Sequence, residues 1–318
     1  MKKILLTESI NTKGVELLEK YFSIIKASNT DEKTLIKLSG DCNGILVRTA
    51  KITSKIIENS PELKIISRHG SGYDNVDIES ATKRGILVVN APLANIDSVA
   101  EHVICMLLAS AKNLIQMDHI TREGNYHLRN SFLNIEIKNK TIGIIGFGKI
   151  GASLAEKIKS FGVKINAYDP YLKSYNSVPS YVTMKSNIDD IFRESDIITI
   201  HVPLNNNTRN MIGKSEFLKM KTSCIFINAS RGEVVDELAL YDALKMNRIK
   251  AAAADVFAKE PPDKNNPLFS LKNIIISPHN AALTEESMIN MAVDSAQGIV
   301  DFFKGNRPKY VVNPEVIF

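Results

Sequence analysis

Residues 141–151, Thr-Ile-Gly-Ile-Ile-Gly-Phe-Gly-Lys-Ile-Gly, run an apolar stretch into a Gly-x-Gly-x-x-Gly turn, and Asp169 follows at the end of the next apolar run, Val163–Tyr168. Few folds accommodate strand, glycine turn, helix, second strand and acid in that order. Gly146 permits the tight turn, Gly148 lets backbone approach a pyrophosphate, and Gly151 lets the following helix pack closely on the strand. That helix opens at Lys149 and Ile150 with free N–H groups and the positive end of its dipole, both suited to phosphates. Asp169 stands where a carboxylate accepts hydrogen bonds from a ribose 2′-hydroxyl. Glycines alone mark any tight strand–helix turn; the whole ordered unit points to a bound dinucleotide.

The unit also divides the chain. With 318 residues there is material for about two domains, each able to bury a core. Ahead of it, short apolar runs at Lys3–Thr7, Phe22–Lys26, Gly44–Arg48, Leu63–Arg68 and Ile86–Asn90 alternate with amphipathic pieces. From Thr141 onward the expected strands are Ile142–Gly146, Val163–Tyr168, Ile197–His201, Cys224–Asn228, Ala251–Val256 and Ile274–Ser277. Strands alternating with helices indicate βαβ units and parallel sheets. Apolar residues at helical spacing over Ile96–Lys112 and Thr284–Lys304 predict two long helices joining the halves, with residues 305–318 rejoining the first domain. The expected fold is α/β: two doubly wound parallel-sheet domains. A Rossmann-type domain over residues 98–284 is inserted in a flavodoxin-like domain made of residues 1–97 and 285–318, with ligand in the cleft between them.

Bulk properties exclude several other classes. Apolar content of 44% and charged content of 24% are ordinary for a globular protein. The net charge of +5 comes from Lys and Arg scattered among acids. It fits an enzyme attracting small anions better than a nucleic-acid binder. The apolar start, Ile4-Leu5-Leu6, is interrupted by Glu8 and reads as a strand, not a secretory peptide. No segment reaches the ~20 apolar residues of a bilayer span, so no membrane partner is expected. Cys42, Cys105 and Cys224 are odd in number and lack metal-ligand spacing. Reduced, mostly buried thiols, a cytoplasmic location and no metal are the expectation.

Three segments place polar residues just past apolar strands: Ile225–Gly232 with Arg231, Asp255–Pro262 with Glu260, and Ile276–Ala282 with His279. Strand ends at the ligand edge are where an α/β enzyme mounts reactive groups, so these three can converge. With Val47-Arg48-Thr49, residues 70–77 (Gly-Ser-Gly-Tyr-Asp-Asn-Val-Asp), Ser98–Glu101 and His201–Leu204, they make a chain that resembles the D-isomer-specific 2-hydroxyacid dehydrogenase family over almost its whole length. That family includes phosphoglycerate dehydrogenases and hydroxypyruvate/glyoxylate reductases.

The resemblance implies NAD-dependent hydride transfer between a D-2-hydroxy acid and its 2-keto acid. Arg231 matches the substrate-binding arginine, whose planar fork suits a carboxylate. His279 matches the general acid/base. Glu260 matches its carboxylate partner, which favours the charged imidazole; formate dehydrogenases of the superfamily carry Gln there. Lys149 and Ile150 lie at the pyrophosphate, Val202 and Pro203 along the adenosine, and Ala229 and Ser230 beside the nicotinamide ribose. Asp255 and Ala281 belong near the nicotinamide. Ser71 and Gly72 offer backbone N–H groups to the substrate carboxylate, while Arg48, with Arg68 and Arg129, falls where phosphoglycerate dehydrogenases place cations. Asp169 favours NAD, since it repels a 2′-phosphate and Pro170-Tyr171-Leu172 supplies no arginine. A 3-phosphoglycerate dehydrogenase-like activity is expected. Tyr73 leaves a hydroxypyruvate/glyoxylate reductase as the alternative, and an NAD(H)-sensing corepressor-like binding protein is the alternative of another class. Ending at Phe318, the chain has no room for a C-terminal regulatory domain, so feedback inhibition by that route is not expected. A homodimer is expected through Ile96–Lys112 and the stretch to about Phe132, which carries Leu114, Ile115, Met117, Tyr126, Phe132 and Leu133.

Overall fold

Short runs rich in Ile, Val and Leu form two parallel sheets in a computed structural model that describes residues 1–172 and 178–316. The first sheet comprises β1 (Lys3–Leu6), β2 (Ser23–Lys26), β3 (Gly44–Val47), β4 (Ile65–Arg68) and β5 (Leu87–Asn90), in the order β2-β1-β3-β4-β5. The second comprises β6 (Thr141–Ile145), β7 (Lys164–Tyr168), β8 (Val182–Met184), β9 (Ile197–Ile200), β10 (Ile225–Asn228), β11 (Ala251–Ala254) and β12 (Ile274–Ile276), in the order β12-β11-β10-β9-β6-β7-β8. The first order is that of flavodoxin-like sheets. The second is the Rossmann arrangement, in which strand order reverses beside the first strand of the unit. Strands such as β3, β5, β9 and β10 are buried along their whole length. Helices cover both faces, which is why these runs show no polar alternation in sequence.

The chain divides into two units, Met1–Asn95 with Ala282–Phe318, and Ile96–Ala281. These limits precede the expected ones by a few residues. The helix Ile96–Ala111 is one continuous element packed on the helix Lys149–Ile158 and on β10 and β11, so it belongs entire to the second unit. On one face of the second sheet Val103, Met106 and Leu107 meet Ile142, Ile144 and Leu154. On the other, Phe192, Phe217, Phe226 and Leu244 form the core.

In the first unit the helix Glu285–Phe303 lays Ala292, Ala296, Ile299 and Val300 against Ile4, Leu46, Ile65 and Leu87. The segment that follows returns to β5: Val311 bridges Val89 antiparallel, and Asn313 accepts from the Val88 N–H at 2.7 Å and donates to the Ile86 carbonyl at 3.0 Å. Ile317 and Phe318, the end of the returning segment, lie outside the described residues.

Two expectations on elements need correction. β8 was not anticipated, because three residues at a sheet edge with a single buried side chain carry almost no periodic signal. The expected helix Ile96–Lys112 ends at Ala111; Asn113 takes a left-handed backbone (φ 49°) and a second helix, Leu114–Arg122, begins. No single helix among the described residues is long and apolar enough to cross a membrane. The three cysteines are free, but Cys105 is exposed; only Cys42 and Cys224 are buried.

Candidate active site

The glycine loop leaves the carboxyl end of β6, at the point where strand order reverses. Gly146 has φ +92°, and a Cβ there would lie 2.5 Å from the His201 carbonyl oxygen. A Cβ on Gly151 would meet the Gly146 carbonyl at 2.4 Å. Gly148 faces open space instead, with no atom of the described residues within 4 Å of the position a Cβ would take. The helix Lys149–Ile158 starts there without a side-chain cap, so its first N–H groups can serve a phosphate. Asp169 is tied into this loop, its carboxylate accepting the Phe147 and Tyr171 N–H groups, each at 2.9 Å. An open cradle, uncapped N–H groups and an anchored acid fit a dinucleotide. Val202 packs on the adjoining core, and the Pro203 carbonyl accepts from the Thr208 hydroxyl at 2.6 Å.

The loops after β10, β11 and β12 carry the three candidate reactive side chains. His279 Nδ1 lies 2.6 Å from Glu260 Oε2, and Glu260 Oε1 accepts the Phe257 N–H at 3.1 Å. Burial pushes the Glu260 carboxyl up. The hydrogen bond and charge of His279, the Phe257 N–H and the nearby charge of Arg231 outweigh it and hold the carboxyl below its ordinary value. Arg231 is held by its own loop: Asn228 donates to the Arg231 carbonyl at 2.9 Å and accepts from Ser230 N and Oγ at 3.0 and 2.9 Å. The His279 ring is reachable, its side chain 45% exposed.

The backbone of His279 is left-handed, φ +52°, a conformation that costs a non-glycine residue about 1–2 kcal/mol. Asp255 holds it there. Its carbonyl accepts the His279 N–H at 2.7 Å, and its carboxylate accepts Asn280 and Ala281 N–H, each at 3.0 Å. The Asp255 side chain is 0% exposed, and the Ala281 N–H is taken by it. The two residues thereby anchor the histidine loop.

A sequence model of the D-isomer specific 2-hydroxyacid dehydrogenase NAD-binding domain matches residues 104–281, more than half of the chain. The chain belongs to the D-isomer specific 2-hydroxyacid dehydrogenase family. It is 39% identical over 313 residues to the D-3-phosphoglycerate dehydrogenase of Archaeoglobus fulgidus, covering 98% of this chain and 59% of that one. Against the glyoxylate reductase of Aeropyrum pernix it is 34% identical over 325 residues, 99% of this chain and 97% of that one. The D-lactate dehydrogenase of Aquifex aeolicus, solved with NAD and lactic acid, superposes with a TM-score of 0.89 at 28% identity, covering 97% of this chain and 98% of that one. The chain spans about three-fifths of the length of the phosphoglycerate dehydrogenases it matches.

In the first unit of this family member, Arg48 and Arg68 lie at the carboxyl ends of the paired strands β3 and β4. His69, which follows Arg68, is buried, and burial followed by the charges of Arg48 and Arg68 pushes its imidazole down to about 4. Arg129 instead stacks on Tyr126, 4.6 Å from the ring centre, in the second unit. The Ser71 carbonyl accepts from Asn90 at 2.7 Å, which fixes the loop carrying Ser71 and Gly72.

Glu8 and Asn75 were missed as organisers of this edge. Glu8 accepts the Arg48 and Thr49 N–H groups at 3.1 and 2.8 Å, and Asn75 donates to the Arg48 and Ala50 carbonyls at 3.1 and 2.7 Å. Asn228 was missed in the same way. Glu8 and Asn228 are polar residues at or beside strand ends, the one signal that singles them out; Asn75 lies in the loop after β4 and carries no such signal.

Proposed function

We propose that the chain is an NAD-dependent D-2-hydroxyacid dehydrogenase, with 3-phosphoglycerate and its keto acid as the first substrates to test. The observation that carries this is the 2.6 Å His279–Glu260 pair beside the Arg231 charge. A nicotinamide, when bound, supplies or takes the hydride. Arg231 holds the substrate carboxylate with its planar fork. The carboxylate of Glu260 only accepts, so it keeps a proton on His279 Nδ1 and leaves Nε2 to exchange a proton with the substrate oxygen. Gly146, Gly148, Lys149, Ile150, Gly151, Asp169, Val202, Pro203, Ala229, Ser230, Asp255 and Ala281 serve the dinucleotide. Ser71, Gly72, Arg48 and Arg68 serve the substrate's anionic groups, and two arginines at the ends of neighbouring strands favour a phosphorylated acid. The match to glyoxylate reductases along nearly their full length supports unphosphorylated keto acids as the second reading. NADH oxidation with 3-phosphohydroxypyruvate, hydroxypyruvate and glyoxylate tests both; no turnover with any of the three overturns the enzyme reading.

The pH dependence follows from the pair. Because the Glu260 carboxyl is held below its ordinary value, the carboxylate persists through the neutral range and is lost only as pH falls through that lowered value. Glu260→Gln removes the negative charge that stabilises imidazolium. The acid limb that protonation of Glu260 gives the reduction rate should then be absent from the variant. A variant profile that keeps that acid limb contradicts the pairing.

Asp169 sets the preference for NAD. Asp169→Ala removes both the ribose hydrogen bonds and the repulsion of a 2′-phosphate. Charge-assisted bonds are worth about 1.5–3 kcal/mol each, so the NAD over NADP ratio of kcat/KM should fall on the order of 10- to 100-fold. An unchanged ratio assigns the discrimination elsewhere.

The enzyme works as a homodimer in the cytoplasm, a compartment that suits its three free thiols. The helix Leu114–Arg122 buries none of its residues, and Leu114, Ile115, Tyr126 and Leu133 are 56–82% exposed. An apolar stretch of that kind marks an interface. Light scattering at micromolar concentration should give twice the chain mass; a clean monomer refutes the dimer.

A further inference from the structure

We propose that His102 is a positioning residue for His279, acting through Ser277 and Asp255; the inference rests on the acid–base reading of His279 above. His102 lies on the helix Ile96–Ala111, in a stripe otherwise made of the buried Val99, Val103 and Met106. Its Nε2 is 3.2 Å from Ser277 Oγ and 3.6 Å from Asp255 Oδ1, while Ser277 Oγ is 2.5 Å from the same Oδ1.

The direction of each bond follows from the proton count. A serine hydroxyl has one proton, and an ionised carboxylate can only accept, so Ser277 donates to Asp255. Ser277 Oγ therefore has only lone pairs left for His102, which must donate from Nε2–H. The result is a one-way chain, His102 to Ser277 to Asp255, ending on a carboxylate with no exposed surface.

What that carboxylate holds is the turn at the candidate acid–base residue. Its two oxygens take the Asn280 and Ala281 N–H groups, and the Asp255 carbonyl takes the His279 N–H. Together they pin His279 at φ +52°. A left-handed histidine persists only where its surroundings over-determine it. His102 and Ser277 fix the orientation of the group that does so.

The test compares the full-length wild type with His102→Ala, His102→Gln, Ser277→Ala and the double alanine variant. Steady-state reduction of hydroxypyruvate and 3-phosphohydroxypyruvate, NADH affinity, and amide hydrogen exchange at Asn280 and Ala281 are measured for each. Each single alanine should lower kcat on the order of tenfold or more, as small misplacements of a reacting group do. KM and NADH affinity should change less than about threefold, and the double variant should be no worse than the poorer single within that margin. The amide of His102→Gln can donate where Nε2–H does, so it should restore kcat. Exchange at Asn280 and Ala281 should quicken in the alanine variants and not in His102→Gln.

Wild-type kcat in His102→Ala, multiplicative losses in the double variant, or a glutamine no better than alanine each overturns the inference. Should His102→Ala fail to fold, Ser277→Ala and His102→Gln carry the comparison. If the wild type turns over neither keto acid, the acid–base reading is what fails, and the exchange rates alone decide for or against the chain of hydrogen bonds.

Discussion

His279→Ala is expected to lower kcat in both directions by about 10²–10⁴-fold, the range that loss of a positioned general acid/base produces, with NADH affinity nearly intact. The ring stands in the loop after β12, 45% exposed and bonded to Glu260. The glycine loop and Asp169 belong to the opposite part of the same sheet, around β6 and β7. Removing the imidazole therefore deletes proton transfer and leaves the phosphate cradle untouched. An interaction made in the transition state and absent from nucleotide binding lowers kcat and kcat/KM together. Pre-steady-state reduction rates alongside fluorescence titration of NADH check this. Wild-type turnover in His279→Ala would falsify its assignment as the acid–base group.

Gly232→Ala is expected to be nearly as damaging although it touches no reacting atom. A Cβ on Gly232 would lie 1.9 Å from the Phe257 carbonyl carbon, 2.1 Å from its oxygen and 2.3 Å from the Ala258 nitrogen. All three are backbone atoms, so no side-chain rotation relieves the clash, and the two loops must separate. Gly232 adjoins Arg231, and the Phe257 N–H is bonded to Glu260. One methyl group therefore moves the arginine away from the histidine–carboxylate pair. Displacement of a reacting group by about 1 Å costs on the order of 10²-fold, and overpacking costs about 1–3 kcal/mol of stability. We expect kcat/KM for the keto acid to fall at least about a hundredfold, with a lower melting temperature. A variant with wild-type kcat/KM shows that the loops need not touch.

Much of the nucleotide half was legible in the chain because its determinants are local. The strand, the glycine turn, the uncapped helix and Asp169 follow one another within a single βαβ unit, and each constrains only its neighbours. Eleven of the strands could be read for the same reason: each is a short apolar run closed by a turn. β8 could not, since Val182–Met184 has only one buried residue. The helix Leu114–Arg122 was also hidden, because it buries none of its residues and so carries no core-facing stripe.

The candidate reactive site is of another kind. Sequence alone determined that polar residues follow β10, β11 and β12, and their resemblance to a family singled out Arg231, Glu260 and His279. The strand order decided that they meet. β10, β11 and β12 are parallel neighbours, with Asn228 paired to Ala254 and Ala254 to Ile276, so their loops emerge side by side at one carboxyl edge. Only the tertiary structure could show that Asp255 anchors the histidine turn, reveal that Gly232 lets two loops touch, and bring His102 to Ser277. Each depends on atoms far apart along the chain and within a few ångströms in space, and no local pattern of residues encodes that proximity.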